Sequence, residues 1–186
     1  MEEFEDLVPQ PDSDGRMELT YRAWVEVDDV VWTMARTLIF LDLSFNTISS
    51  IPDELGDLFQ LKEFNIACNQ VKALPTSIGK LIKLKTVKAN GNKIEYLPDS
   101  IGKCRSLQEL ILSENRLVGL PSTLADCPRL EVLLLQNNRL KQIPSEMGTL
   151  KGKLLQVDLA NNSELDMIPK EVSPPPRLWH GTERKN

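Results

Sequence analysis

Asparagine recurs along this chain at a nearly constant interval, and that interval constrains the fold more than any other feature. Successive steps are 23, 23, 23, 23 and 24 residues. The asparagines are Asn46, Asn69, Asn92, Asn115, Asn138 and Asn162. Apolar residues precede each at fixed offsets, as in Leu38-x-x-Leu41-x-Leu43-x-x-Asn46-x-Ile48. A period of about 20–50 residues predicts a repeat architecture, in which each unit buries its apolar edge against its neighbours.

The second half of each unit recurs as well. An apolar residue followed by proline occurs at the same position of each unit, and a glycine follows in most units, as at Gly56 and Gly79. The pairs are Ile51-Pro52, Leu74-Pro75, Leu97-Pro98, Leu120-Pro121, Ile143-Pro144 and Ile168-Pro169. The complete unit, LxxLxLxxNxIxxLPxxIGxL, resembles the leucine-rich repeat and covers residues 38–169. The segments 74–81 (LPTSIGKL) and 97–104 (LPDSIGKC) are similar to the Ras-group type, which includes the Ras suppressor, scribble-like scaffolds and plant intracellular Ras-group proteins.

The physical role of each position predicts the architecture. The L-x-L segment suits a short parallel strand whose leucines alternate inward. The asparagine amide can donate to and accept from backbone groups at the turn, so the six amides should form a ladder. Proline presets the return segment, and glycine allows close backbone approach. We therefore expect an α/β solenoid: a curved horseshoe with a parallel sheet on its concave face and short helical or 3-10 segments on its convex face.

The flanking segments divide the chain into three parts. Residues 1–13 form an acidic leader expected to be flexible, residues 14–172 the repeat domain, and residues 173–186 a proline-rich tail. Residues 14–37 keep the apolar phase of a repeat and are interpreted as a degenerate N-terminal cap, the alternative being an independent amphipathic helix over 24–35. Leu178 and Trp179 are expected to fold back on the last coil, the alternative being a proline-rich ligand for a partner domain.

Composition excludes several functions. The net charge of −5 lies entirely in residues 1–16, so the body is neutral and nucleic-acid binding is not expected. No apolar run reaches the length of a membrane helix, and the sequence does not open on a secretory signal. The chain has one histidine, His180, and no glycine-rich phosphate loop, so we expect no enzyme, metal or cofactor.

Three cysteines without a CxxC pair favour a reducing, cytoplasmic compartment. Cys104 and Cys127 share the column of Leu58 and Leu81. They are interpreted as small buried hydrophobes, and a redox pair between adjacent coils is the alternative.

Function should lie in the residues that face solvent. On the concave face, one column holds Arg16, Phe40, Glu63, Thr86, Glu109, Val132 and Gln156. The second holds Glu18, Asp42, Asn65, Lys88, Ile111, Leu134 and Asp158. The candidate partner-binding residues are Phe40, Asp42, Glu63, Asn65, Lys88, Glu109, Ile111, Val132, Leu134 and Asp158. Ile111, Val132 and Leu134 should form one apolar patch, either a contact site or a surface that a tail covers.

A basic stripe is predicted beside the asparagines, where Lys93, Arg116 and Arg139 stack on consecutive coils. It could meet an acidic partner or form an ordinary solvated edge, with Glu95 and Glu114 offsetting the repulsion. The leading hypothesis is a non-enzymatic intracellular adaptor, monomeric alone. The Ras-group resemblance implies a protein partner such as a small GTPase or signalling complex. The alternative is a structural subunit of a cytoskeletal, ciliary or organellar assembly.

Overall fold

One open parallel sheet runs the length of the protein. The computed structural model describes residues 8–166, 168–170 and 179–180. Eight strands follow one another in chain order, each bonded to the next. They are β1 (Arg16–Glu18), β2 (Phe40–Asp42), β3 (Glu63–Asn65), β4 (Thr86–Lys88), β5 (Glu109–Ile111), β6 (Val132–Leu134), β7 (Gln156–Asp158) and β8 (Trp179–His180).

The register follows the sequence period. Phe40 pairs with Glu63 and Glu63 with Thr86; the offset of 23 residues continues to β6, and the step from β6 to β7 is 24 residues. The middle residue of each strand points inward and is buried, as Leu110 and Leu133 show. Because strand side chains alternate, the flanking residues of β1 to β7 fall into the two solvent-facing columns. The predicted repeat fold is confirmed.

Short 3-10 helices close the coils on the side opposite the sheet. They span Asp53–Asp57, Thr76–Lys80, Asp99–Lys103, Ser122–Asp126 and Ser145–Leu150. Each starts directly after the proline that recurs at one position of the repeat. The backbone of that proline is extended, as at Pro75 and Pro98. Their apolar residues, such as Ile78 and Ile101, are fully buried against the strand leucines. The core is therefore one continuous aliphatic column between strands and 3-10 helices.

Each buried asparagine joins its own coil to the preceding one. Asn92 Nδ2 donates to Ile66 O of the preceding coil at 2.8 Å and to Ala89 O of its own coil at 3.2 Å. Its Oδ1 accepts from Val71 N at 2.9 Å. Asn46, Asn69, Asn115, Asn138 and Asn162 repeat this pattern. Each amide thus satisfies backbone groups that the turn leaves unpaired.

The degenerate first coil joins the same system. Strand β1 pairs with β2 in the common register, and the N–H groups of Arg22 and Trp24 donate to Asn46 Oδ1 at 2.9 and 3.1 Å. A short helix, α1 (Asp29–Trp32), replaces the 3-10 segment and is capped by the Asp28 carboxylate, which accepts from Val30 N. The first coil thus stacks on the first clear repeat as a degenerate cap, and its helix spans Asp29–Trp32 instead of the alternative 24–35. Val8 also packs against the core, which brings part of the predicted leader into the folded body.

At the other end, the chain adds a strand to the last coil. The backbone of Trp179 pairs with Val157, and that of His180 with Asp158. The backbone of β8 thus pairs with the outer edge of β7, at the place where a further repeat would put its strand. Leu178 and the remainder of the predicted tail lie outside the described residues.

Removing one ladder amide should destabilise the fold. Asn92→Ala leaves Val71 N without its acceptor, which costs about 1–3 kcal/mol, while Ile66 O keeps the Asn69 Nδ2 donor. Asn90→Ala is the matched control, because within the described residues the Asn90 side chain makes no hydrogen bond, so a change below about 0.5 kcal/mol is expected. Urea denaturation measures both, and equal effects would contradict a structural role for the ladder.

The close approach of neighbouring 3-10 helices should exclude a methyl group at Gly79. A Cβ there would lie 2.7 Å from Ser100 O, so Gly79→Ala should lower the free energy of unfolding by about 1–3 kcal/mol. A Cβ at Gly119 would have no neighbouring atom within 4 Å. Gly119→Ala should instead stabilise by about 0.4–1 kcal/mol through the unfolded chain. Thermal unfolding of the two variants gives the comparison, and a stabilised Gly79→Ala would overturn it.

Candidate protein-interaction surface

The two solvent-facing columns of the strands form one surface, here called the sheet face. It differs between its two ends. At the β2–β3 end three of the four outward residues are acidic or amide side chains, namely Asp42, Glu63 and Asn65, and the fourth is Phe40. At the β5–β6 end three of the four are aliphatic, namely Ile111, Val132 and Leu134, and the fourth is Glu109. The sheet therefore presents a polar half and an apolar half.

The apolar half is a contiguous patch, here called the apolar patch. Ile111 pairs directly with Leu134, and Val132 lies two residues before Leu134 on the same strand and the same face. All three side chains are half-buried, which leaves part of each in solvent. Glu109 borders the patch through its pairing with Val132, and Asp158 borders it through its pairing with Leu134. Clusters of this kind are uncommon on monomeric proteins and often mark contact sites.

Phe40 lies apart from the apolar patch. The Glu63, Thr86 and Glu109 strands separate it from Val132 in the same column. Its ring is covered by the Arg16 guanidinium, whose carbon lies 3.7 Å from the ring centroid. A shallow depression of about 40 Å³ opens beside it and is lined by residues that include Asp42, Thr86 and Lys88. The exposed apolar surface of Phe40 is thus partly used within the protein.

Three predicted binding residues also brace the backbone. Asp42 Oδ1 accepts from Ser44 N at 2.8 Å and from Ser44 Oγ at 2.6 Å. Asn65 Oδ1 accepts from Ala67 N at 3.0 Å, and Asn65 Nδ2 donates to Asp42 Oδ2 at 2.8 Å. Asp158 Oδ1 accepts from Ala160 N at 2.9 Å. These residues cap the turn that follows their strand, which the sequence analysis did not recognise; the D-x-S spacing at 42–44 is its sequence signal.

The basic stripe occupies one position on three consecutive coils. The backbone N–H groups of Lys93, Arg116 and Arg139 donate to the preceding coil in the same way, each at 2.9 Å. Within the described residues, none of the three side chains forms an ion pair, with Glu95 and Glu114 or otherwise. Their charge is therefore available to solvent or to a partner at the edge where the strands end.

A stacked aromatic pair at the N-terminal end was missed. The Tyr21 and Phe45 rings are 4.7 Å apart and inclined by 7°, and their side chains are exposed. Both backbones have φ of 56°, as does Cys68 one coil further on. The signal was visible in the alignment of the cap with the first repeat, which sets Tyr21 against Phe45. These rings lie at the turn after the strand, outside the two columns of the sheet face.

Two of the three cysteines lie in the core. Cys104 and Cys127 are fully buried free thiols whose Sγ atoms donate to Ile78 O at 3.3 Å and Ile101 O at 3.4 Å. Burial, with a smaller contribution from Cys127, raises the pKa of Cys104 to about 12. Burial likewise raises the pKa of Cys127 to about 11, against the opposing effect of Arg105. They act as small core residues.

Across residues 8–166 and 168–170, no group of three or more His, Cys, Asp or Glu side chains could hold a metal ion. In the same part of the chain, no helix is both long and apolar enough to cross a bilayer.

Comparison with known proteins identifies the repeat. A leucine-rich repeat family model matches residues 82–140, and another matches residues 37–58. The fold is therefore a leucine-rich repeat solenoid. A leucine-rich repeat protein of Leptospira interrogans has a similar structure, with a TM-score of 0.74 and 25% identity over 86% of this chain and 46% of that chain. Comparison with curated proteins gives no match.

A second similar structure contains a ligand. It is the leucine-rich repeat ectodomain of the Arabidopsis thaliana membrane receptor kinase GASSHO1/SCHENGEN3, in complex with CASPARIAN STRIP INTEGRITY FACTOR 2. The TM-score is 0.70 and the identity 29%, over 84% of this chain. The chain spans about half of the first structure and 19% of the second. Leucine-rich repeat domains generally mediate protein–protein interaction, so the exposed surfaces are the candidate sites.

Thiol labelling should separate the cysteines by burial. At pH 8, a thiol-reactive disulfide reagent should label Cys68, which is half-buried, and leave Cys104 and Cys127 protonated and shielded. In denaturant all three should react. Mass spectrometry of the native protein locates the label. Labelling of Cys104 as fast as Cys68, or a native Cys104–Cys127 disulfide, would support the redox alternative.

Proposed function

We propose that this protein is a non-enzymatic binding module that contacts a protein partner through the apolar patch on its sheet face. The observation that carries the proposal is the adjacency of Ile111, Val132 and Leu134 in register, at positions where the neighbouring strands carry polar side chains. Half-buried aliphatic side chains on a rigid surface gain free energy when a partner removes them from water. The sheet supplies that rigidity because its backbone is bonded on both sides.

The partner class is proposed from the repeat type. The return segments at 74–81 and 97–104 resemble those of Ras-group leucine-rich repeat proteins, and this supports a small GTPase or signalling complex in the cytoplasm. The free cysteines agree with a reducing compartment. Purified Ras-like GTPases loaded with GDP or with a non-hydrolysable GTP analogue are the direct probes. Binding that depends on the nucleotide would support this partner, and stoichiometric co-purification with one assembly regardless of nucleotide would favour the structural-subunit alternative.

Introducing negative charge into the apolar patch should weaken partner binding. The variant combining Ile111→Glu with Leu134→Glu places two carboxylates where the partner's apolar surface would dock, and capture of that partner should fall more than about tenfold. Ile82→Glu is the matched control, because Ile82 is an exposed isoleucine, 59% accessible, that lies outside the sheet face. Quantitative mass spectrometry after affinity capture gives the readout. Identical partners for the wild type and the double variant would remove the apolar patch from the proposal.

A further inference from the structure

The turns after the strands fall into two kinds, and the difference lies in backbone N–H groups. In the coils of β2, β3 and β7, an Asp or Asn accepts from the N–H two residues later, as Asp42 does from Ser44. In the coils of β4, β5 and β6 that position is Lys88, Ile111 or Leu134, none of which can accept. The N–H groups of Asn90, Ser113 and Gln136 have no acceptor among the described residues.

These donors lie beside the apolar patch. The equivalent bonds of Asp42 and Asn65 show that an acceptor attached to the second column reaches this N–H at 2.8–3.0 Å. The donors of Ser113 and Gln136 therefore lie next to the Ile111 and Leu134 side chains, on neighbouring coils spaced by about 4.8 Å. Ser113 is itself 7% exposed. Donors in such surroundings are normally satisfied, and water or a ligand must do so here.

The charges follow the same division. The segments that leave the donors open, 88–93, 111–116 and 134–139, contain Lys88, Lys93, Arg116 and Arg139 against Glu114. The corresponding segments with internal acceptors, 42–47, 65–70 and 158–163, contain no cation. No ion pair neutralises the four cations within the described residues. Open donors and unpaired cations thus occur on the same three coils, and both favour an anionic acceptor.

We infer that the apolar patch recognises a protein segment in which a carboxylate side chain is adjacent to a large aliphatic residue. The aliphatic side chain covers Ile111, Val132 and Leu134, and the carboxylate accepts from the N–H groups of Ser113 and Gln136. This inference rests on the proposed function and adds the chemistry of the partner. Glu109 lies on the opposite side of the patch from the donors and sets the direction of the segment by repelling its acidic end.

A matched pair of small probes tests the donors directly. Isotope-labelled full-length protein is titrated with isocaproate, which has an isobutyl group and a carboxylate, and with isocaproamide, its neutral isostere. Heteronuclear NMR follows the amides of Ser113 and Gln136, with Ser44, Ala67 and Ala160 as references that already have an internal acceptor. Isocaproate should shift Ser113 and Gln136 saturably and bind about fivefold tighter than the amide, because charge-assisted hydrogen bonds are stronger.

A designed variant supplies the control. Ile111→Asn restores the internal acceptor, so it should remove the response of Ser113 to isocaproate while Gln136 retains its own response; Ile111→Val should leave both. Equal binding of the two probes would overturn the carboxylate inference and leave the apolar patch standing as a binding surface. Shifts confined to the Arg116 and Arg139 region, or no shifts, would also overturn it. The affinity-capture experiment with the Ile111→Glu, Leu134→Glu double variant tests the proposed function independently.

Discussion

The fold depends on hydrogen bonds that no coil can complete alone. Each asparagine amide in the ladder needs a carbonyl of its own coil and a carbonyl and an N–H of the coil before it, as Asn115 shows with Leu112 O, Ala89 O and Ile94 N. A single coil would leave these groups unpaired and its leucines in water. Stacking satisfies both demands together, which is why the unit recurs at a fixed length.

This constraint decides which residues remain available for recognition. The inward leucines, the asparagines and the close glycines are committed to the stack, and Asp42, Asn65 and Asp158 are partly committed to their turns. The β4–β6 part of the sheet face is different, because its aliphatic residues, open N–H groups and unpaired cations have no described internal role. Stability and recognition therefore occupy different positions of the same repeat, so changes at Ile111 or Leu134 need not disturb the ladder.

Much of the fold could be predicted from the sequence because it follows from a period. The strand phase, the sheet columns and the apolar positions Val27, Val31 and Met34 of the cap all follow from one alignment. The turn caps of Asp42 and Asn65 did not, because the same letters read equally well as solvated surface. The Arg16–Phe40 contact and the Tyr21–Phe45 stack also required coordinates, since they depend on rotamers. The open N–H groups also required coordinates, because they stand out only against the turns after β2, β3 and β7, where a side chain accepts from the equivalent N–H.

The site was predictable to a lesser extent than the fold. The clustering of Ile111, Val132 and Leu134 could be predicted from the strand register. The open N–H groups beside them belong to the backbone, so the residue types do not reveal them. A partner is a further step removed, because matching positions among leucine-rich repeats are the buried ones. The similar structures therefore establish the architecture, and the exposed residues of this chain must establish what it binds.

Deleting one whole repeat tests most directly whether neighbouring coils hold each other in place. Removal of residues 85–107, one period of 23 residues, joins Leu84 to Gln108 and preserves the phase of every column. The shortened protein should unfold cooperatively in urea, with an m-value about one eighth lower, in proportion to the chain removed. Deletion of 85–96, about half a period, should abolish the transition. If the whole-period deletion also fails to fold, or if the half-period deletion folds equally well, the stacked-coil account is contradicted.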